Sequence, residues 1–146
     1  MGITISGKYK GKMSPYELSM SYSTFFWLRL SIAKNFNDNF GKHYERLTDF
    51  RATKEEWDDY DNETQRIIEQ EHLEDKRWQQ KIIDFLFMPD TNGKISYGTC
   101  KRLYDLVKNE NDNDRYGYTM IGDNTMGNFK RLLHDVYVNS GYLKWE

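Results

Sequence analysis

The sequence contains one cysteine, two prolines and no apolar run long enough to cross a membrane. A single cysteine, Cys100, excludes an intramolecular disulfide and is typical of cytosolic proteins. A transmembrane helix needs roughly 18 or more consecutive apolar residues, so the sequence excludes that class. The first 15 residues, MGITISGKYKGKMSP, carry lysines but no apolar segment, so we expect no secretory signal. These absences predict a cytoplasmic protein.

Motifs for metal binding and catalysis are also missing. His43, His72 and His134 lie far apart, and the chain has no cysteine pair and no His-Glu-x-x-His sequence. It has no phosphate loop, no dinucleotide fingerprint and no Gly-x-Ser-x-Gly elbow. On an apolar helical face, Cys100 fits a small core residue better than a nucleophile. We therefore predict no catalytic residue, no metal site and no cofactor.

Charge and aromatic residues are abundant, and the charge is unevenly distributed. Residues 54–76 hold ten acidic and three basic side chains, a net charge of −7, which leaves +5 for the remainder of a chain of net charge −2. The segment could be a solvated acidic helix, or it could imitate nucleic acid. The basic remainder could bind an anion. The sequence pI of about 5.9 argues against direct DNA binding.

Apolar periodicity predicts a mainly α protein. The stretch 24–37 is apolar almost all the way round, which predicts a central helix. Strand-like residues stand only at 3–5 and 142–145, and we expect these termini to pair at the domain edge. We predict one compact helical domain over residues 1–146. Further helices are expected at 43–47, from about 63 to 88 after a short acidic turn, at 96–109 and at 125–139.

Two helix starts share a pattern. "SYST" occupies residues 21–24 and "SYGT" occupies residues 96–99, and in both a leucine follows four residues after the threonine. Serine before an apolar run is typical of a helix N-cap. A duplicated unit should carry the similarity further, and it fades beyond Leu28 and Leu103. The third interpretation is two halves of an anion site, because helix N-termini attract negative charge.

Arg29 is the most unusual charged residue, because it lies in the most apolar predicted helix. A buried guanidinium needs a partner, either an internal carboxylate or an anionic ligand. Under the second alternative we expect Arg29 to line an anion pocket that a homodimer could complete. The candidate ligand-binding residues are Tyr22, Arg29, Tyr97, Lys101 and Arg102.

Five features in order resemble small accessory proteins of Gram-positive phages and prophages. These are the MGITISGK start, SYSTFFWLRLSIAKNF, CKRLYDLVK after an Asn-Gly turn, YGYT, and the short Trp-containing tail. Serines 21 and 23 replace expected glycines, and the acidic insert is long. The resemblance implies expression in a bacterial host cytoplasm and supplies no activity.

Three hypotheses for function remain open at this point. The first is a non-catalytic anti-defence protein that sequesters a nucleotide-like immune signal. The second is an inhibitor of a host defence nuclease that acts through the acidic aromatic segment 54–76. The third is a structural or regulatory phage protein without a small ligand. The protein-binding residues of the second hypothesis are Glu55, Glu56, Trp57, Asp58, Asp59 and Tyr60.

Overall fold

A computed structural model describes residues 2–49, 53–113 and 124–146. In this part of the chain, six α-helices accompany a five-stranded antiparallel sheet. A 3₁₀ turn at Arg46–Asp49 follows α2. The elements are β1 (Gly2–Tyr9), β2 (Lys12–Met13), β3 (Leu18–Ser21), α1 (Tyr22–Phe36), α2 (Asp38–Glu45), α3 (Lys54–Gln70), α4 (Arg77–Phe87), β4 (Gly93–Ser96), α5 (Tyr97–Val107), α6 (Thr125–Val138) and β5 (Tyr142–Trp145).

The mainly α prediction was wrong, because the sheet is a full layer of the fold. Its strand order is β2-β1-β5-β4, with β3 also paired to β1. The terminal strands β1 and β5 pair in register Ile5 to Trp145, but they lie at the centre of the sheet rather than at its edge. The other three strands have two to four residues each, too short for a sequence pattern.

One face of the sheet is buried and the other is polar. Ile3 and Ile5 of β1 point inward with Leu143 and Trp145 of β5. Gly93 of β4 has no side chain because a Cβ there would collide with the Trp145 indole. The alternating pleat therefore places the even-numbered residues of β1, β4 and β5 on the opposite face.

The predicted central helix is confirmed, with its start two residues earlier than expected. Phe25, Leu28 and Ile32 of α1 are fully buried in the core. Ser21 is the last residue of β3 and also the N-cap of α1, because its side chain accepts a hydrogen bond from Thr24 N at 3.1 Å. The strand therefore leads directly into the helix.

The predicted helix over about 63–88 was wrong, because the chain breaks between α3 and α4. His72 has φ 55, and Leu73 N donates to Ile68 O at 3.0 Å, a pattern typical of a helix C-terminus. Leu73 is buried, so the break turns an apolar side chain into the core. The predicted short helix at 43–47 falls on α2 and its 3₁₀ extension, and the YGYT sequence lies outside the described residues.

Candidate anion-binding site

Arg29 is enclosed in the core and bound to protein groups. Its Nη1 donates to Met88 O at 2.8 Å and to Asp90 Oδ1 at 3.2 Å. The guanidinium carbon lies 4.1 Å from the centre of the Phe25 ring, and the rings of Phe85 and Trp145 are within 5.5 Å. Nε and Nη2 find no hydrogen-bond partner among the described residues, so the aromatic faces are their main contacts.

The role of Arg29 is to help close the C-terminus of α4, where backbone carbonyls lack helical partners. Arg29 binds the carbonyl of Met88, Tyr44 Oη donates to Leu86 O at 2.9 Å, and Trp145 Nε1 donates to Pro89 O at 3.0 Å. Burial lowers the pKa of Arg29, and the nearby Tyr44 hydroxyl and Asp90 carboxylate partly oppose this shift. Of the two alternatives for Arg29, the internal carboxylate is the one present in the structure.

The remaining predicted ligand residues divide between two helices. Tyr22 begins α1 and packs partly against the core. Tyr97 begins α5 and is about half exposed. Lys101 Nζ lies 3.6 Å from Asp105 Oδ2, so this cation already has an anionic partner. Arg102, in contrast, lines a cleft.

That cleft lies between the first turns of α4 and α5 and encloses about 570 Å³. This volume is in the range of small-molecule sites. The Arg102 guanidinium carbon lies 4.8 Å from the centre of the Trp78 ring, so a flat cation and an indole lie side by side in the cleft. The lining residues are Arg77, Trp78, Lys81, Ser96, Gly98, Thr99 and Arg102.

Every charged residue that lines this cleft is basic. Arg77, Lys81 and Arg102 make no salt bridge with any described residue. The first turn of neither helix contains an acidic residue. Because the N-terminus of a helix carries a partial positive charge, both helices add to the field of the three side chains. The cleft is therefore suited to an anion.

The start of α5 is open toward the cleft. Ser96 is the N-cap residue, but its side chain makes no capping hydrogen bond. A Cβ built on Gly98 would meet only the Ser96 Oγ, at 3.9 Å, so the space above this turn is empty of protein. Thr99 is largely buried, but its hydroxyl oxygen keeps some accessibility and bonds to no described residue. The hydroxyl is therefore available to a group in the cleft.

Comparison of the chain with protein-family models, with curated proteins and with solved structures found no match in any of the three. In the described ranges, no helix combines the length and apolarity needed to cross a membrane. The same ranges hold no group of three or more His, Cys, Asp or Glu side chains that could bind a metal ion.

The acidic segment of the second hypothesis forms the first half of α3. Trp57 and the four carboxylates that surround it are exposed, and no salt bridge joins those carboxylates to another described residue. Tyr60 is buried instead, since its hydroxyl donates to His43 O at 3.1 Å and its ring stacks on the His43 imidazole. Tyr60 is therefore unavailable to a partner. The four carboxylates are Glu55, Glu56, Asp58 and Asp59.

Three cleft residues were missed from the sequence altogether: Arg77, Trp78 and Lys81. Ser96, Gly98 and Thr99 lie in the SYGT start that the sequence singles out, but they are not among the candidate ligand residues. One signal was present, because Arg77 and Lys81 are like charges at i and i+4, an arrangement that weakens a helix unless an anion is near. The predicted helix over about 63–88 contains both residues and gives no reason to relate them to the start of α5. Cys100, next to Thr99, is fully buried, and burial raises the pKa of its thiol to about 12. It is an inert core residue.

Proposed function

We propose that this protein binds a nucleotide-like anion, without chemical change, in the cleft between α4 and α5. The observation that carries this proposal is the uncapped start of α5, which opens into a cleft whose charged lining residues are all basic and unpaired. A phosphate there would accept hydrogen bonds from the helix amides and the Thr99 hydroxyl. It would also receive charge-assisted hydrogen bonds from Arg77, Lys81 or Arg102.

The aromatic wall favours a nucleotide over a simple inorganic anion. Trp78 is partly exposed in the cleft, with the Arg102 guanidinium over its ring and the Phe36 ring edge-on at 6.4 Å between centroids. A base could stack on this indole or on the guanidinium plane, a contact worth roughly 1–3 kcal/mol per base. Tyr97, at the adjacent start of α5, offers a second exposed ring.

Binding without catalysis is proposed because the described lining of the cleft contains no carboxylate, imidazole or thiol. Carboxylates and imidazoles are common general bases, whereas the basic side chains of this cleft are suited to hold a phosphate. The resemblance to phage accessory proteins suggests the biological purpose that we propose: sequestration of a nucleotide immune signal in the cytoplasm of a bacterial host.

Isothermal titration calorimetry with adenosine and guanosine mono- and triphosphates tests the proposal. A charge-assisted contact contributes about 1.5–3 kcal/mol, so Arg102→Ala or Lys81→Ala should weaken binding roughly ten- to a hundredfold. Lys101→Ala is the matched control, because Lys101 lies beside Arg102 but outside the cleft and pairs with Asp105. Chromatography of the recovered ligand should show it unchanged. Absence of binding across this panel would overturn the proposal.

A second candidate function is inhibition of a DNA-binding host protein by the exposed half of α3. The observation in its favour is the set of four exposed carboxylates around Trp57, none of them neutralised by a described cation. Regular acidic side chains beside an aromatic anchor could occupy a DNA-binding surface. If this is correct, the wild-type protein inhibits members of a panel of bacterial nucleases. A variant with Glu55→Gln, Glu56→Gln, Asp58→Asn and Asp59→Asn should not inhibit them.

A further inference from the structure

We infer that the ligand is an oligonucleotide with at least two phosphates, and that a second phosphate subsite lies on the polar face of the sheet. This inference rests on the proposed function of the α4–α5 cleft. Its basis is the register of the strands, which joins the cleft to a row of basic and aromatic side chains. The row runs from Ser96 through Tyr142 to Lys8.

The cleft and the sheet share one residue. Ser96 lines the cleft and is also the last residue of β4, where it lies directly opposite Tyr142 of β5. Tyr142 in turn lies opposite Lys8 of β1. Neighbouring strands are about 4.8 Å apart, so Lys8 lies roughly 10 Å across the sheet from the cleft edge. A single phosphate cannot contact both places, whereas adjacent phosphates of an oligonucleotide can.

The next row of the sheet is basic as well. Lys94 of β4 lies directly opposite Lys144 of β5, and like charges in this position destabilise a sheet. Lys94 Nζ stands 4.1 Å over the Tyr142 ring, and Lys144 Nζ lies 3.1 Å from Glu146 Oε1. Lys8 and Lys94 have no salt bridge to a described residue. An anion between these lysines would relieve the repulsion.

The chemistry of this face fits a short single-stranded nucleic acid. Single-strand sites combine basic side chains that follow the backbone with aromatic rings on which bases stack, and open sheet faces are used in this way. Tyr142 supplies a partly exposed ring in the middle of three lysines. Among the described residues, two acidic side chains partner this face: Glu146 pairs with Lys144, and Glu17 accepts a hydrogen bond from Ser6 at 3.4 Å. The overall charge of −2 disfavours a long polyanion, so we infer a short one.

The test is calorimetry of the full chain with three probes. These are adenosine monophosphate, the 3′–5′-linked adenylate dinucleotide that carries a 5′-phosphate, and the corresponding tetranucleotide. We expect the dinucleotide to bind at least tenfold more tightly than the monophosphate, with a steeper dependence on salt. Lys8→Ala and Lys94→Ala should each lose most of that gain while leaving monophosphate binding within twofold. Lys42→Ala is the control, since Lys42 lies on α2 and pairs with Asp38. Circular dichroism checks that each variant is folded.

The outcomes separate the two proposals. If the three probes bind equally and Lys94→Ala changes none of them, the second subsite is refuted while the cleft stands. If no probe binds, the cleft proposal fails and the subsite fails with it. If the dinucleotide binds, and Lys94→Ala weakens its binding while Arg102→Ala does not, the sheet face is the site and the cleft proposal is refuted. Restoration of dinucleotide affinity by Lys94→Arg would support a phosphate contact.

Discussion

The two helix starts that share a sequence pattern differ in one respect, the closure of their N-caps. Ser21 and Ser96 each end a strand and begin a helix, and their backbone angles are nearly equal, φ −68 and ψ 160 against φ −78 and ψ 167. Ser21 Oγ accepts from Thr24 N and lies 3.0 Å from Thr24 Oγ1. Ser96 makes no such bond, and the Thr99 hydroxyl has no partner among the described residues.

The difference shows that local sequence sets the backbone of a helix start but not the use of its polar groups. Thr24 is buried, where an unpaired hydroxyl costs free energy, so Ser21 and Thr24 satisfy each other. The Thr99 hydroxyl instead stays accessible and borders a cleft with three cations. We propose that its partner is the ligand. For the shared SYST and SYGT pattern, the helix-cap interpretation therefore holds at the start of α1. The anion-site interpretation is proposed only at the start of α5.

The bodies of the two helices should be equivalent in stability, and this is the largest effect we predict. Leu28 and Leu103 occupy matching positions and both are fully buried. Replacing either by alanine removes a core side chain and should lower the free energy of unfolding by about 2–5 kcal/mol. Chemical denaturation followed by circular dichroism measures this. A loss below 1 kcal/mol for Leu103→Ala would break the comparison, because α5 would then not be a core helix.

The next effect concerns the two arginines, which the structure places in opposite settings. Arg29→Ala leaves the Met88 carbonyl without its donor, and loss of a hydrogen bond to a charged group costs about 1.5–3 kcal/mol. Arg102→Ala removes an exposed side chain and should change stability by no more than about 0.5 kcal/mol. Thermal melts of both variants provide the measurement. Equal destabilisation would mean that Arg102 is structural and that the cleft is misassigned.

A smaller effect should separate the two caps themselves. Ser21→Ala removes a capping bond and should cost about 1 kcal/mol, whereas Ser96→Ala removes none and should cost close to nothing. Ser21→Thr is the control, because threonine keeps the capping hydroxyl. Urea denaturation resolves a difference of this size when the slopes of the transitions agree. If the two alanine variants lose equal stability, the Ser96 hydroxyl is a cap after all.

The smallest effect is a pH dependence located away from both helix starts. Burial, with the Arg46 charge, lowers the pKa of His43, whose Nε2 lies 2.6 Å from Thr64 Oγ1. The unfolded imidazole takes up a proton below about pH 6.5 while the folded one resists it, so stability should fall as the pH falls below that value. His43→Gln should flatten this decline in the free energy of unfolding between pH 6.5 and 5. The difference in stability between Ser21→Ala and Ser96→Ala should be the same in the His43→Gln background. An unchanged slope would assign the titration to another group.

Helix positions were largely determined by the sequence alone, because a 3.6-residue apolar period is a local property. The period around Leu28 and around Leu133 was enough to predict α1 and α6, and the serines at the starts of α1 and α5 were enough to predict N-cap positions. The break at His72 was not predictable, because it depends on Leu73 turning into a core that other elements build.

Tertiary structure decided the full extent of the sheet and the candidate site. The short strand β4 exists because its backbone groups pair with β5, which is distant in sequence, whereas β2 and β3 pair with the nearby β1. Arg29 became structural because Met88 and Asp90, about 60 residues away, meet it in the core. The cleft arose because the break before α4 brings Arg77, Trp78 and Lys81 to the start of α5. Electrostatic fields and unpaired hydroxyls depend on such long-range neighbours, which local residue patterns do not encode.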